Sequence, residues 1–278
     1  MVKPTSSRKP LITKEGDIEI AYRIVGEGSP ILLIMGYAGT MDLWAPELVA
    51  LLAARHRVIM FDNRGCGGST SSSEPFSIEL FARDAAGLLD ALDIKRADVL
   101  GFSMGSYIAQ QLALDFPKKV RKLILYSTDC GRKECVQPSS EVIEALTNVA
   151  GDDPESKGRL MSLLFPPEWL KEHPDSRTFM PKAKEVVSEE TAARQKQAIY
   201  DWSGSYERLP EITQPTLLVT GTEDAIINPA NSFMVGQRIP GAWVIQLNGG
   251  HGLMFQYPKY LAKIVLTFLS QTQHRKRK

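Results

Sequence analysis

The chain has 278 residues, a formal net charge of +1, 43% hydrophobic residues and 23% charged residues. This length accommodates one large α/β domain or two small ones, and the composition is ordinary for a soluble globular protein. The near-neutral charge argues against a general nucleic-acid binder, and no run of about eighteen apolar residues is present to cross a membrane.

The chain ends and the cysteines bear on location. Residues 1–10 are polar and charged and contain no apolar segment typical of a secretory signal. Cys66, Cys130 and Cys135 are an odd number without dense spacing, so they predict no disulfide framework. A reducing, cytoplasmic location is therefore expected. The basic cluster at residues 274–278 is expected to be a solvated tail, with a membrane or nucleic-acid role as the alternative.

Strand and helix patterns alternate along most of the chain. Residues 17–24 alternate polar and apolar side chains, which predicts a half-buried antiparallel strand at a sheet edge. Further strand patterns lie at residues 31–35, 57–62, 97–100, 122–127, 215–220 and 242–247, and helix patterns at 43–54, 77–91, 229–238 and 259–270. This β–α–β–α order predicts an α/β protein with a mostly parallel, doubly wound sheet.

The alternation is interrupted over residues 129–210, which are helical, rich in loops and punctuated by prolines. Helix patterns lie near residues 141–149, 157–165, 182–187 and 189–200. We predict that residues 129–210 form an inserted helical lid on a core domain made of residues 1–128 and 211–278. A second folded domain with its own function is the alternative.

Residues 97–109 predict a strand, an abrupt turn and a helix, and the turn carries the pattern G-x-S-x-G. In a nucleophile elbow, the turn holds its serine, here Ser103, in a strained backbone conformation. Gly101 and Gly105 would relieve crowding on either side. The hydroxyl is then exposed at a helix N-terminus, which favours a developing oxyanion. Ser103 is the candidate nucleophile; an ordinary strand–helix turn with a bystander serine is the alternative.

A serine hydroxyl is a poor nucleophile at neutral pH and needs a base. His251 lies in a glycine-framed loop after the last strand, at the sheet edge towards which the elbow also points, and is the candidate base. His56 is expected to be structural, because it lies between a helix and a strand. His173 is expected to be a solvated loop residue of the lid, and His274 belongs to the tail.

An acid must orient that base. Asp224 follows the strand at residues 215–220 and can reach the ring nitrogen of His251 that faces away from the serine. Its carboxylate would fix the tautomer and stabilise the imidazolium. The adjacent Glu223 is expected to be solvated, and Asp129, after the strand at residues 122–127, is the alternative acid.

The order Ser103, Asp224, His251, each after its own strand, resembles the α/β-hydrolase fold superfamily over residues 17–270. Residues 62–69, D-N-R-G-C-G-G-S, are similar to the D-x-R-G-x-G-x-S loop of its lidded esterase, lactonase and C–C hydrolase branch. The resemblance implies an eight-stranded sheet and hydrolytic activity.

The resemblance also implies an oxyanion hole made of two backbone N–H groups. One belongs to the residue after the nucleophile, Met104, and the other comes from the loop after the first central strand, at Tyr37. Many members carry His-Gly at the start of that loop, where this chain has Met35 and Gly36. Ser106 stands where a third glycine is common, and its small side chain should still fit the helix–strand contact.

Together these residues predict a serine hydrolase that cleaves a carboxylic ester or lactone through an acyl-enzyme intermediate. Its partners would be a small acyl substrate and water, without metal, nucleotide or prosthetic group, because neither a metal-ligand cluster nor a phosphate loop is visible. C–C bond hydrolysis and cofactor-free perhydrolysis use the same triad and remain alternatives. A small-molecule receptor with weak or no turnover is the alternative from a different class.

The predicted substrate contacts are Gly36, Phe165, Trp202 and Leu253. The apolar residues of the lid favour a moderately hydrophobic substrate, with packing of the lid on the core as the alternative; they are Met161, Leu164, Phe165, Trp169, Phe179, Met180 and Trp202. Acyl chain length is left open, as is the choice between a monomer and a homodimer.

Overall fold

The computed structural model describes residues 9–131, 133–147, 154–182, 184–185 and 187–271. Within these residues, eight strands form one sheet in the order β1-β2-β4-β3-β5-β6-β7-β8. The strands are β1 (Leu11–Glu15), β2 (Ile18–Val25), β3 (Ser29–Ile34), β4 (His56–Phe61), β5 (Ala97–Phe102), β6 (Val120–Tyr126), β7 (Thr216–Gly221) and β8 (Trp243–Leu247). In this spatial order, every pairing from β4 to β8 is parallel. β2 pairs antiparallel with both of its neighbours, β1 and β4. The predicted mostly parallel α/β sheet is confirmed.

Helices connect the parallel strands, and two more follow the last strand. They are α1 (Pro46–Ala53), α2 (Ile78–Ala91), α3 (Met104–Asp115), α4 (Ser140–Thr147), α5 (Pro154–Leu164), α6 (Pro167–Glu172), α7 (Glu189–Asp201), α8 (Pro229–Arg238), α9 (Leu253–Gln256) and α10 (Pro258–Ser270), with 3₁₀ turns at Met41–Leu43, Ser176–Thr178 and Tyr206–Glu211. The sequence predicted α2 correctly, and the side chain of Ser77 caps it by accepting from the N–H of Leu80 at 3.0 Å.

Two apolar cores lie on the two faces of the sheet. Successive side chains of a strand point to opposite faces, so Leu32 and Ile34 of β3 join the core under α2, α3 and α8. Ile31 and Leu33 join the core under α1 and α10. All four side chains are fully buried. Burial on both faces explains why the central strands read as continuous apolar runs.

The sheet edge differs from the prediction. β2 lies second from the edge, because β1 pairs with it and forms the edge. The strand pattern missed β1 because its sequence, L-I-T-K-E, lacks apolar alternation. Its Leu11 and Ile12 side chains are 55% and 51% exposed, so no buried face marks the strand.

The segment between β6 and β7 carries α4, α5, α6 and α7. The helix predicted at residues 182–187 is wrong for its described residues, which form a bend at 184–185 and no regular structure at 182 and 187. The Ser188 side chain accepts from the N–H of Thr191 at 3.1 Å and starts α7 at Glu189. The short α6 was not predicted.

Three features of the sequence lie outside the described residues: the basic cluster at 274–278, most of residues 1–10 and the end of the helix predicted at 141–149. Among the helices of the described part of the chain, none combines the length and the apolar character needed to cross a lipid bilayer.

Candidate active site

Ser103 lies in the turn between β5 and α3 with φ 55° and ψ −125°. Side chains rarely adopt this backbone conformation, so the turn stores strain that its surroundings must hold. The N–H of Ser103 donates to the carbonyl of Tyr126 at 3.0 Å, and the N–H of Ser106 donates to the carbonyl of Ser103 at 2.7 Å. The Ser106 hydroxyl donates to the same carbonyl at 2.6 Å. The small residue at position 106 therefore braces the elbow.

The two glycines of the turn are required by close approach of the backbone. A Cβ atom on Gly101 would lie 2.1 Å from the carbonyl oxygen of Gly105, and one on Gly105 would lie 2.1 Å from that of Ile34. A side chain at either position would push α3 away from the sheet. The G-x-S-x-G pattern thus reflects steric need at this turn.

His251 follows β8 and Asp224 follows β7, and the structure brings them together. Nδ1 of His251 lies 2.8 Å from Oδ2 and 3.0 Å from Oδ1 of Asp224. The carboxylate also accepts from the N–H groups of Ile226 and Ile227 at 3.0 and 2.9 Å. Both side chains are buried. With Nδ1–H donated to this fixed carboxylate, the neutral imidazole carries its lone pair on Nε2.

Two aromatic residues that the sequence analysis missed hold the histidine loop. The hydroxyl of Tyr126 donates to the carbonyl of His251 at 2.6 Å and accepts from the N–H of Met254 at 3.1 Å. Burial raises the pKa of Tyr126 well above its usual value, so the phenol stays protonated and donates. The Phe102 ring lies 4.5 Å from that of Tyr126 and 4.9 Å from that of His251. No local sequence signal marks a contact across 125 residues.

The loop after β3 lies against the elbow. A Cβ atom on Gly36 would lie 3.0 Å from the Cβ of Ser103, so a side chain there would require the elbow to move by a few tenths of an ångström. Ala38, two residues on, has φ 51°. Tyr37 and Met104, the predicted oxyanion donors, both line the cavity that contains the serine.

Gln195 fastens that loop to α7, and the sequence analysis did not identify it. Its Oε1 accepts from the N–H of Ala38 at 2.8 Å, and its Nε2 lies 3.1 Å from the sulfur of Cys66. The side chain is fully buried. The one available signal was a polar residue on the buried stripe of α7 formed by Ala192 and Ala198. Gln195 thus links the segment between β6 and β7 to two loops of the sheet.

The motif at residues 62–69 supports the loop after β3, which borders the site. Arg64 makes two bonds of 2.7 Å to the carboxylate of Asp84, and both side chains are buried. The amide of Asn63 donates to the carbonyl of Met35 at 3.2 Å. The motif therefore holds the backbone from which the loop after β3 departs.

A cavity of about 310 Å³ opens on the serine. Of the predicted site residues, six line it: Gly36, Tyr37, Ser103, Met104, Trp202 and His251. Asp224 lies behind the histidine. Most of the remaining wall is apolar and comes from both the sheet loops and the segment between β6 and β7; it includes Met35, Leu43, Ile143, Leu146, Leu160, Leu164, Met180, Ile199, Ile226, Ile227, Met254 and Phe255.

Phe165 and Leu253 do not line this cavity. Phe165 packs against the rings of Trp169, Phe179 and Phe255 with centroids 4.8, 5.2 and 6.2 Å away. Leu253 is fully buried in the same apolar core. Leu164 and Met180 line the cavity, whereas Met161, Trp169 and Phe179 pack against the core, as the alternative interpretation anticipated.

The other candidates lie away from the base or have other partners. Asp129 lines the cavity, but its carboxylate accepts from the hydroxyl of Tyr107 and the N–H of Gly131, both at 2.9 Å. His56 is the first residue of β4. The exposed His173 stacks on the Trp169 ring at 4.1 Å. Glu223 is exposed, as expected. Asp224 is therefore the carboxylate that the fold places against His251.

Comparison with known proteins identifies the family of the chain. A family model described as the alpha/beta hydrolase fold matches residues 29–168. A protein of Azorhizobium caulinodans that carries the name carbamate hydrolase RutD is 31% identical over 262 residues, which cover 92% of this chain and 97% of the relative. The chain belongs to the α/β hydrolase fold family.

Two further matches extend the comparison. The poly(3-hydroxyalkanoate) depolymerase of Ectopseudomonas oleovorans is 29% identical over 265 residues, covering 89% of this chain and 86% of the relative. The crystal structure of the enol-lactonase from Burkholderia xenovorans LB400 superposes with a TM-score of 0.82 at 24% identity, covering 94% of this chain and all of that chain. The latter likeness concerns the fold alone.

Proposed function

We propose that this protein is a serine hydrolase that cleaves a carboxylic ester or lactone. One observation carries the proposal: the strained Ser103 opens on the same cavity as His251, whose Nδ1 is bonded to the buried carboxylate of Asp224. A nucleophile, a base and an orienting acid are the groups that acyl transfer needs. Family membership supports hydrolysis, and the names of two relatives, a carbamate hydrolase and a poly(3-hydroxyalkanoate) depolymerase, support an acyl substrate.

Acylation follows from the roles of these groups. Oγ of Ser103 attacks the substrate carbonyl while Nε2 of His251 takes its proton, and Asp224 stabilises the imidazolium. The backbone N–H groups of Tyr37 and Met104 bind the oxyanion, and each is expected to lower the barrier by about 3 kcal/mol. His251 then protonates the leaving alcohol.

Deacylation reverses the same steps with water. His251 removes a proton from the attacking water, and the tetrahedral intermediate again places its oxyanion on Tyr37 and Met104. Collapse releases the carboxylic acid and returns the proton to Ser103. The base, the acid and the oxyanion donors in both steps are residues of the chain.

Residues 129–210 are proposed to act as a lid on a core formed by residues 1–128 and 211–278. Side chains from α4, α5 and α7 contribute to the cavity wall, which supports a role in substrate selection. Trp202 illustrates this role: its indole N–H donates to Gln111 at 3.2 Å, and its ring stacks on Tyr107 at 5.0 Å. The fixed ring then presents an apolar surface to the cavity.

The substrate is proposed to be a small, moderately hydrophobic acyl compound, because most of the cavity wall is apolar. Burying one methylene group contributes about 0.8 kcal/mol. Each methylene added to the acyl chain should therefore raise kcat/KM about fourfold until the cavity is filled.

Hydrolysis of p-nitrophenyl esters from acetate to laurate tests the proposal. Wild type should turn over with an optimum above acetate, and Ser103→Ala should reduce kcat by more than about a thousandfold. Ser162→Ala is the matched control, because Ser162 is an exposed serine of α5. Binding of the esters without turnover by wild type would favour the receptor alternative and contradict the proposal.

A further inference from the structure

Cys130 and Cys135 bring their sulfur atoms into contact just after β6. The two Sγ atoms lie 3.0 Å apart, and the side chains are 0% and 8% exposed. A disulfide bond places its sulfur atoms about 2.05 Å apart. The two atoms therefore need to approach by only about 1 Å to bond.

The backbone on both sides of this contact is anchored. The carbonyl of Cys130 accepts from the N–H of Ser205 at 2.8 Å. Next to Cys135, Val136 donates its N–H to the side chain of Asn231 at 2.8 Å, and its carbonyl accepts from the same side chain at 2.9 Å. The sulfur contact therefore follows from fixed backbone positions.

The two thiols are not equivalent. The backbone N–H of Cys130 donates to the sulfur of Cys135 at 3.3 Å. The hydrogen bond to Cys135, together with burial, raises the pKa of the Cys130 thiol, so Cys130 keeps its proton as long as Cys135 is reduced. Cys135 is also the more exposed of the two. A reagent therefore reaches Cys135 before Cys130, which makes Cys135 the attacking sulfur.

We propose that Cys130 and Cys135 are a reversible disulfide site that low-molecular-weight disulfides oxidise. The Cys135 thiol gives its proton to solvent as its sulfur attacks one sulfur of the oxidant, which forms a mixed disulfide and releases one reagent thiolate. Cys130 then passes its proton to that thiolate, and its sulfur attacks the sulfur of Cys135 and releases the second reagent thiolate, which takes up a proton from solvent. Two protein thiols become one disulfide, and the reagent disulfide is reduced to two thiols.

The site adjoins the cavity but does not depend on the proposed hydrolase activity. Asp129 and Gly131, on either side of Cys130, and Gln137, two residues beyond Cys135, line the cavity. Gly131 packs so closely against Gly204 that a Cβ atom on it would lie 2.4 Å from the Cα of Gly204. The disulfide would therefore fix the part of the cavity wall where the segment between β6 and β7 begins.

Folded wild-type protein treated with 2-hydroxyethyl disulfide tests this proposal. The chain is then denatured, its free thiols are alkylated, and its mass and tryptic peptides are measured. Cleavage after Arg132 and Lys133 separates the two cysteines, so a bond between them links peptides 123–132 and 134–157. We expect that linked pair, a mass about 2 Da lower before alkylation, one remaining free thiol, and reversal by dithiothreitol.

Cys66 is the internal control. Burial raises the pKa of its thiol to about 12, so it should stay free throughout. Cys66→Ser should form the same linked peptides as wild type, and Cys130→Ser should stop at a stable mixed disulfide on Cys135. The proposal would be overturned if treated wild type kept three free thiols or kept a mixed disulfide. It would also be overturned if the Cys66 thiol were lost at the same rate as the thiols of Cys130 and Cys135.

Discussion

At the scale of single residues, the candidate site depends on which nitrogen of His251 carries the proton. Asp224 accepts from Nδ1 with both oxygens within 3.0 Å, and the backbone donors at Ile226 and Ile227 keep the carboxylate in place. An amide in place of the carboxylate could present N–H to Nδ1 and would favour the wrong tautomer.

Asp224→Asn is therefore expected to lower kcat about ten-thousandfold with little change in shape. The physical reason is the loss of a base on the cavity side of His251. Steady-state hydrolysis of p-nitrophenyl butyrate measures this effect. Glu223→Gln, an adjacent and exposed carboxylate, is the matched control and should retain wild-type kcat. Equal loss in both variants would contradict the assignment of the acid.

At the scale of elements, α7 and the loop after β3 act together through Gln195. The proposed oxyanion donor Tyr37 precedes Ala38, whose N–H is bonded to Gln195. A buried N–H left without an acceptor costs about 1–3 kcal/mol, so the loop would shift to recover a partner. Small shifts of an oxyanion donor weaken binding of the transition state more than binding of the ground state.

Gln195→Leu is expected to lower kcat roughly ten- to hundredfold while KM changes by less than about threefold. Kinetic analysis of ester hydrolysis separates the two parameters. Gln197→Leu, on the exposed side of the same helix, should leave both unchanged. A rise in KM with unchanged kcat would show that Gln195 shapes the substrate pocket instead of the oxyanion loop.

A second link between elements joins β6 to the end of α10. Nζ of the buried Lys122 donates to the carbonyls of Phe268, Leu269 and Gln271 at 3.0, 2.8 and 2.7 Å. The last carbonyls of a helix have no partner within it and carry partial negative charge. The lysine satisfies them and fastens the closing helix to the sheet.

Lys122→Met should lower the free energy of unfolding by about 2–3 kcal/mol, because three helix-end carbonyls lose a charged donor. Denaturant titration measures the loss, and Lys263→Met, an exposed lysine of α10, is expected to change stability by less than about 0.5 kcal/mol. Equal midpoints for the two variants would show that water replaces the lysine without cost.

At the scale of the whole molecule, stability is expected to depend on pH through His56. Burial lowers the pKa of this side chain below its usual 6.5, so the unfolded chain binds a proton more readily than the folded one. Its contribution to stability is complete above pH 6.5 and is lost as the pH falls towards the folded-state pKa.

Thermal unfolding between pH 7.5 and 5 tests this dependence. Wild type should lose stability on acidification, and His56→Gln should show a shallower loss because it cannot titrate. His173→Gln, which removes an exposed histidine, should follow the wild-type curve. Parallel curves for wild type and His56→Gln would contradict a role for His56.

Sequence patterns predicted the sheet, its central strands and most helices, because burial on two faces produces apolar runs that need no tertiary information. The edge strand β1 escaped, since an exposed strand carries no such run. In the proposed site, Ser103, Asp224 and His251 were predictable as candidates because each follows its own strand. Tyr126 and Gln195 were not, since each acts on a partner far away in sequence. Phe165 shows that an apolar residue of the proposed lid can serve packing instead of lining the cavity.

Covalent trapping of the nucleophile tests the central proposal most directly. A fluorophosphonate should add once per chain to the peptide that contains Ser103, and Ser103→Ala should abolish that adduct. His251→Gln should slow its formation by several orders of magnitude, because the hydroxyl then lacks a base. No adduct in wild type, or an adduct that survives in Ser103→Ala, would contradict the assignment of Ser103 as the nucleophile.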